Sequence, residues 1–256
     1  MIHILTLKCG TKYDYRSVNI LKRSIETYYN KPFTFYCMTD DPKGLDSDIV
    51  VLPMEEDFKY NFNTLSMVKS GFAGIPDGSD CVLMDIDIEV MSDPSIVFDH
   101  KLQPNTIGFI HKWWQYPYQK GSFICGMIYR YTAGELDCFY QRFVKDPEHY
   151  TTHYPKVNQQ EYKLERPDVH VNGEQDYFLE CAGIYNFNMH LFPSFIAENL
   201  QTEIEFGSVG TSPRLEKYLY YRSMPEKIEQ PLVFYHYSGS VQEYVDKRYS
   251  YYDRAY

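Results

Sequence analysis

The chain has 256 residues, enough to bury one sizeable core. Its net charge of −10 argues against a nucleic-acid partner, because phosphate backbones need a basic face. No run approaches the roughly 18 consecutive apolar residues of a membrane span. The opening Met1–Thr6 lacks the plan of a signal peptide. The cysteines at 9, 37, 81, 125, 138 and 181 are scattered without a CxxC pair. They predict free thiols in a reducing cytoplasm.

Taken in order, residues 2–7 predict a first strand, followed by a loop from Lys8 to Tyr13 in which Gly10 permits a tight turn. Val18, Leu21, Ile25 and Tyr28 form a helical stripe over 15–29. Residues 33–38 predict a second strand ending in the acidic turn Thr39-Asp40-Asp41-Pro42, and 49–52 a third. The crossover between the first two makes them parallel. A second helix is expected over 64–73 (Leu65, Val68, Phe72), then a strand over 81–90.

Beyond Asp93-Pro94 come a strand at 107–110, an aromatic loop at 113–118, strand-like 122–131 and a helix at 136–144. Residues 150–168 read as irregular, 173–179 as the start of a helix, and 232–236 as a late strand. The Tyr-rich tail 244–256 suggests a mobile end. With 26 tyrosines in the chain, flat rings with polar tips are available for sugars as well as for packing. Trp113, Trp114, Tyr116 and Tyr118 gather flat rings in one loop. No linker, repeat or low-complexity run divides the chain, so one α/β domain is expected over 1–256.

The stretch Cys81-Val82-Leu83-Met84-Asp85-Ile86-Asp87 organises this plan. A continuous apolar run suits a strand buried on both faces. Carboxylates cannot stay ionised and unpaired in such a core, so Asp85 and Asp87 must emerge at its end or meet a cation. Two apart in extended backbone, they point the same way and can share one hard cation. Ligands of open α/β sheets bind at such strand ends. A divalent-metal site for a diphosphate is the reading; a solvated acidic turn is the plain alternative.

This order of parts resembles a GT-A glycosyltransferase, most closely the small bacterial and phage enzymes near glycosyltransferase family 8. The resemblance covers 2–94 and recurs at 121–131, 173–179 and 233–239. It implies a Rossmann-like GT-A fold with a mostly parallel central sheet flanked by helices, divided into a nucleotide-binding half (1–94) and a sugar and acceptor half (95–256) in which Trp113, Trp114, Tyr116 and Tyr118 are candidates for an acceptor platform. It further implies that Asp85, Asp87 and His236, the last in Tyr235-His236-Tyr237-Ser238-Gly239, hold Mn²⁺ or Mg²⁺. A UDP-sugar by the same likeness, with glucose taken as the sugar by choice and not by the likeness, would contact Thr6, Lys8, Gly10, Tyr13, Asp40, Lys69, Ile86 and Gly239. Glu174, Gln175 and Asp176 would stand where that family places Asp-Gln-Asp beside the donor sugar, with Gln175 under the anomeric carbon. Transfer to a carbohydrate acceptor with retention follows from the likeness.

Two features depart from the family pattern. Gln242-Glu243 stands where a Lys-Pro usually holds the diphosphate, leaving Lys247 or Arg248 as substitutes, and Ile124-Cys125-Gly126 lacks the usual Asn or Asp. The rival readings are a sugar-binding module without turnover and a phosphohydrolase with Asp85 as nucleophile and Asp87 as acid.

Overall fold

The computed structural model describes residues 1–56, 58–111, 124–153, 173–192, 196–199, 232–237 and 242–255. Strand β1 (Ile2–Lys8) alternates its side chains between two faces. Ile2 and Ile4 enter one core cluster, and Leu5 enters another. Helix α1 (Tyr15–Tyr28) begins at Asp14, whose carboxylate accepts from the Arg16 N–H at 2.9 Å. Its apolar stripe, Val18, Leu21 and Ile25, is fully buried on the first face, worth about 1.5–3 kcal/mol per side chain.

The chain returns through β2 (Phe33–Thr39), parallel to β1 from Ile2↔Phe33 to Lys8↔Thr39, and β3 (Val50–Pro53) lies parallel beside β2. Strand β4 (Asp80–Met84) pairs with the other side of β1, again in parallel. After the short helix α2 (Ser95–Phe98) follow β6 (Thr106–His111), β7 (Ile124–Thr132) and β8 (Asn188–Phe192). Together they make a seven-stranded sheet in the order β3-β2-β1-β4-β7-β6-β8. Strand β7 runs antiparallel to both β4 and β6, while the remaining pairs are parallel. The second face is covered by α3 (Asp137–Phe143), α4 (Gly173–Ile184) and the turns before β4, with Phe139, Phe143, Phe178, Phe62 and Leu65 in one cluster. Strand order reverses direction between β1 and β4, and their C-terminal ends meet at that switch.

Three expectations are corrected. Residues 64–73 are not an α-helix: the chain makes 3₁₀ turns at Tyr60–Val68 and Phe72–Gly74. Local polar side chains compete with the helix there. The Phe58 N–H donates to Asn63 Oδ1 at 2.9 Å and Thr64 Oγ1 to the Asn61 carbonyl at 2.6 Å, and Gly71 then takes φ +68°. Residues 81–90 are not one strand either. β4 ends at Met84, the chain turns through Asp85–Asp87, and β5 (Ile88–Val90) joins a second sheet, antiparallel to β10 (Phe234–His236), which also pairs with β9 (Ala197–Asn199). The tail is α5 (Gln242–Ala255), a helix packed on α1 with Val245 and Tyr252 buried. Among the described residues no helix is long and apolar enough to cross a membrane.

Candidate active site

The break after β4 builds the site. The Asp85 N–H still donates to the Met127 carbonyl at 2.9 Å, so Asp85 is held at the sheet's end, while Asp87 lies at the start of β5. The β5–β10 pairing sets Ile88 opposite His236, and the Tyr237 N–H donates to the Asp87 carbonyl at 3.0 Å. Two segments about 150 residues apart in sequence thus converge on one point. One ligand atom each from Asp85, Asp87 and His236 lies within 4.8 Å of the others, and His236 Nε2 is 3.2 Å from Asp87 Oδ1.

These residues fit a divalent cation. Ligands about 2.1 Å from an octahedral ion sit about 3 Å apart when adjacent and about 4.2 Å when opposite, close to what the three side chains present. Two carboxylates with one imidazole suit Mn²⁺ better than Mg²⁺, which prefers oxygen. The electrostatics also ask for positive charge. Surrounding protein, then the charge of Asp87, push Asp85 upward; its side chain still reaches solvent, and water moderates the rise. Burial would raise Asp87 too, but the charge and hydrogen bond of His236 and the Tyr13 hydroxyl outweigh it and hold Asp87 low.

Of the residues expected to meet a nucleotide, several share this end of β1. Tyr13 donates its hydroxyl to Asp87 Oδ2 at 2.7 Å. The Gly10 N–H donates to Asp40 Oδ2 at 2.8 Å, with Gly10 at φ +67°, so the loop after β1 is tied to the acidic turn after β2. Lys8 is buried and donates to the Asp41 carbonyl at 3.2 Å, beneath that loop. Ile86 is buried between the two aspartates, its carbonyl accepting from the Tyr237 hydroxyl at 3.0 Å.

Two others are engaged within the fold. Thr6 is fully buried and donates its hydroxyl to the Met84 carbonyl at 2.8 Å, closing the β1–β4 seam. Lys69 sits beside Cys81 and Tyr131, paired with Glu55 at 2.6 Å. Cys81 precedes Asp85 by four residues, about 13 Å of extended strand, so Lys69 flanks the opposite end of β4. Gly239, Trp113, Trp114, Tyr116 and Tyr118 lie outside the described residues.

Glu174, Gln175 and Asp176 form the buried first turn of α4. The Gln175 amide bridges β7: its Oε1 accepts from the Gly126 N–H at 2.6 Å and its Nε2 donates to the Ile124 carbonyl at 2.7 Å. The β6–β7 register slips between Phe109 and Ile110, taking Gly126 out of pairing with β6 so that Gln175 captures its N–H. A side chain at 126 would meet the Tyr129 hydroxyl at 2.9 Å and Gln175 Oε1 at 3.0 Å. Gly126 and Gln175 therefore depend on each other. Asn61, which the sequence did not single out, donates to Glu174 Oε2 at 3.3 Å. Its position in a 3₁₀ turn, rather than any spacing, brings it here.

Burial, then the charge of Asp85, push Glu174 up to about 8. A carboxyl raised in the folded state keeps a proton that the unfolded chain releases from about pH 4.5 upward, so stability is lost as pH rises from there to about 8. Glu174→Gln is therefore expected to unfold with the wild type below pH 4.5 and to be more stable at pH 9, by on the order of 2–4 kcal/mol. Denaturant unfolding of both metal-free proteins across pH checks this; parallel curves would contradict it.

The seven-stranded, mostly parallel sheet flanked by helices is that of the GT-A glycosyltransferase fold. Solved structures carry the same likeness. The galactosyltransferase LgtC in complex with donor and acceptor sugar analogs superposes with a TM-score of 0.56 at 12% identity, over 97% of this chain and 95% of that one. An active-site mutant of LgtC gives 0.58 at 12%, over 99% and 95%. The glycosyltransferase GlyE of Streptococcus pneumoniae TIGR4 gives 0.60 at 12%, over 100% of this chain, which spans 63% of the GlyE chain. No protein-family model and no curated protein matches the sequence.

Proposed function

We propose that the protein is a metal-dependent glycosyltransferase that moves a hexose, glucose or galactose, from a UDP-sugar to a carbohydrate acceptor with retention. The observation that carries this reading is the convergence of Asp85, Asp87 and His236 at the switch point of the sheet. The fold shared with LgtC and GlyE supports it. None of the six cysteines is in a disulfide, which supports a reducing, cytoplasmic setting.

When bound, a divalent ion supplies Lewis acidity toward the diphosphate leaving group. The chain's own residues do the rest. Asp87, kept ionised, is oriented by the Tyr13 hydroxyl and by His236. The Gly10–Asp40 tie shapes the loop that receives the base and ribose. Glu174, protonated near neutral pH, can donate a hydrogen bond where a carboxylate would repel the diphosphate and the two aspartates. Gln175 is assigned the face of the anomeric carbon. A carbonyl oxygen has two lone pairs, so accepting from Gly126 does not by itself bar it from stabilising developing positive charge. Asp176, buried in the same turn, is assigned to sugar hydroxyls.

Glycosyltransferases of this kind leak their donor to water. Incubation with UDP-glucose or UDP-galactose and manganese should release UDP and free hexose, and chelation should stop it. UDP binding without any hydrolysis or transfer would favour a sugar-binding module. Phosphate released from simple phosphate esters would favour the phosphohydrolase.

A further inference from the structure

The proposed site has a charge problem that one divalent cation does not solve. Asp85 and Asp87 together offset the two charges of such an ion, and the diphosphate leaves with further negative charge. The sequence position that usually carries a second cation holds Gln242-Glu243. Of the two substitutes, the side chain of Lys247 lies outside the described residues. Arg248 is committed elsewhere: it grips the fully buried Glu89 through Nε, 2.8 Å from both carboxylate oxygens, and through Nη2. Lys8 is engaged at Asp41, and Lys69 flanks the wrong end of β4.

The loop after β1 offers another cation. Lys12 is exposed and makes no ion pair with any described residue. Its ammonium rests 4.8 Å from the centroid of the Tyr13 ring, the ring whose hydroxyl reaches Asp87 at 2.7 Å. The loop is itself anchored, by Gly10 to Asp40 on one side and by the Asp14 cap of α1 on the other. We propose that Lys12 is the diphosphate-binding cation of this site, delivered from the N-terminal loop instead of from the C-terminal segment. Resting on the face of Tyr13, it waits one side chain away from Asp87 until a nucleotide diphosphate arrives. It then moves onto the phosphate oxygens as a charge-assisted donor.

The assignment rests on the glycosyltransferase reading, and the test separates the two. Calorimetric titration with manganese present would compare UDP and uridine on the wild type, Lys12→Met and Lys12→Arg. A charged hydrogen bond to phosphate predicts that Lys12→Met weakens UDP by roughly ten- to hundredfold. Uridine affinity should be unchanged, and Lys12→Arg should recover most of the UDP loss. UDP binding that Lys12→Met leaves intact overturns the assignment of Lys12 while sparing the reading of the site. Equal losses for UDP and uridine overturn it as well, because they mark a lysine that only shapes the loop. A wild type that binds no UDP with manganese overturns both.

Discussion

Asp87→Ala should abolish manganese-dependent binding of a UDP-sugar and, with it, turnover, while the protein stays folded. Asp87 is the hub of the cluster: one carboxylate oxygen meets His236 at 3.2 Å and the other meets the Tyr13 hydroxyl at 2.7 Å. Its removal takes away one of three protein ligands and releases the other two groups that border the ion. Loss of a metal ligand in such a shell costs far more affinity than loss of an outer hydrogen-bond partner, itself worth roughly 10–100-fold. The effect on apo stability should be small, because the lost Tyr13 and His236 contacts are offset by relief of the Asp85–Asp87 repulsion. Calorimetry with manganese and UDP-glucose, alongside thermal unfolding, separates the two effects. Unchanged donor affinity in a folded variant would remove Asp87 from the site.

The second large effect is on stability. Arg248→Ala should destabilise the protein by about 3–5 kcal/mol, because it strands a carboxylate that has no route to water. Glu89 is fully buried in β5, gripped by Arg248 and accepting from the Tyr252 hydroxyl at 2.7 Å. For a chain of this size the midpoint of thermal unfolding should fall on the order of 10 °C. Glu89→Gln combined with Arg248→Met should recover much of the loss, since the cost lies in the unpaired charge and not in the missing attraction. Glu89 faces Tyr235 in the β5–β10 pair, one residue from both Ile88 and His236. The pair therefore fastens α5 to the ribbon that presents the histidine. A single variant as stable as the wild type would show that water or another cation reaches Glu89.

The first two strands and the helix between them were readable because their physics is local. Ile2, Ile4 and Leu5 alternate between two cores, the α1 stripe has helical spacing, and Asp14 caps it, so β1, α1 and β2 follow from neighbouring residues alone. Asp85 and Asp87 stood out for the same reason: carboxylates after a buried apolar run need a partner.

Part of what was misread depends on distant parts of the chain, and part on side chains that periodicity does not weigh. The apolar run at 81–90 looks like one strand, yet only tertiary pairing with Phe234–His236 decides that it breaks at the aspartates. The 3₁₀ turns at 60–68 arise from Asn63 and Thr64 side chains that outcompete helix bonds, which apolar periodicity does not register. The tail hid its helix because its tyrosines serve as core and surface alike; Tyr252 is buried while Tyr251 is exposed. The Gln175–Gly126 bridge needs the register slip in β7, and nothing in local spacing encodes it. His236 was legible through family likeness alone, since a lone histidine after an apolar run is more often packing than ligand.

Manganese anomalous scattering from crystals grown with UDP tests the central claim most directly. The account predicts one strong peak between the Asp85 and Asp87 carboxylates and the His236 imidazole, with diphosphate density against it. Diphosphate bound with the ion elsewhere, or no ion between those three side chains, would contradict it.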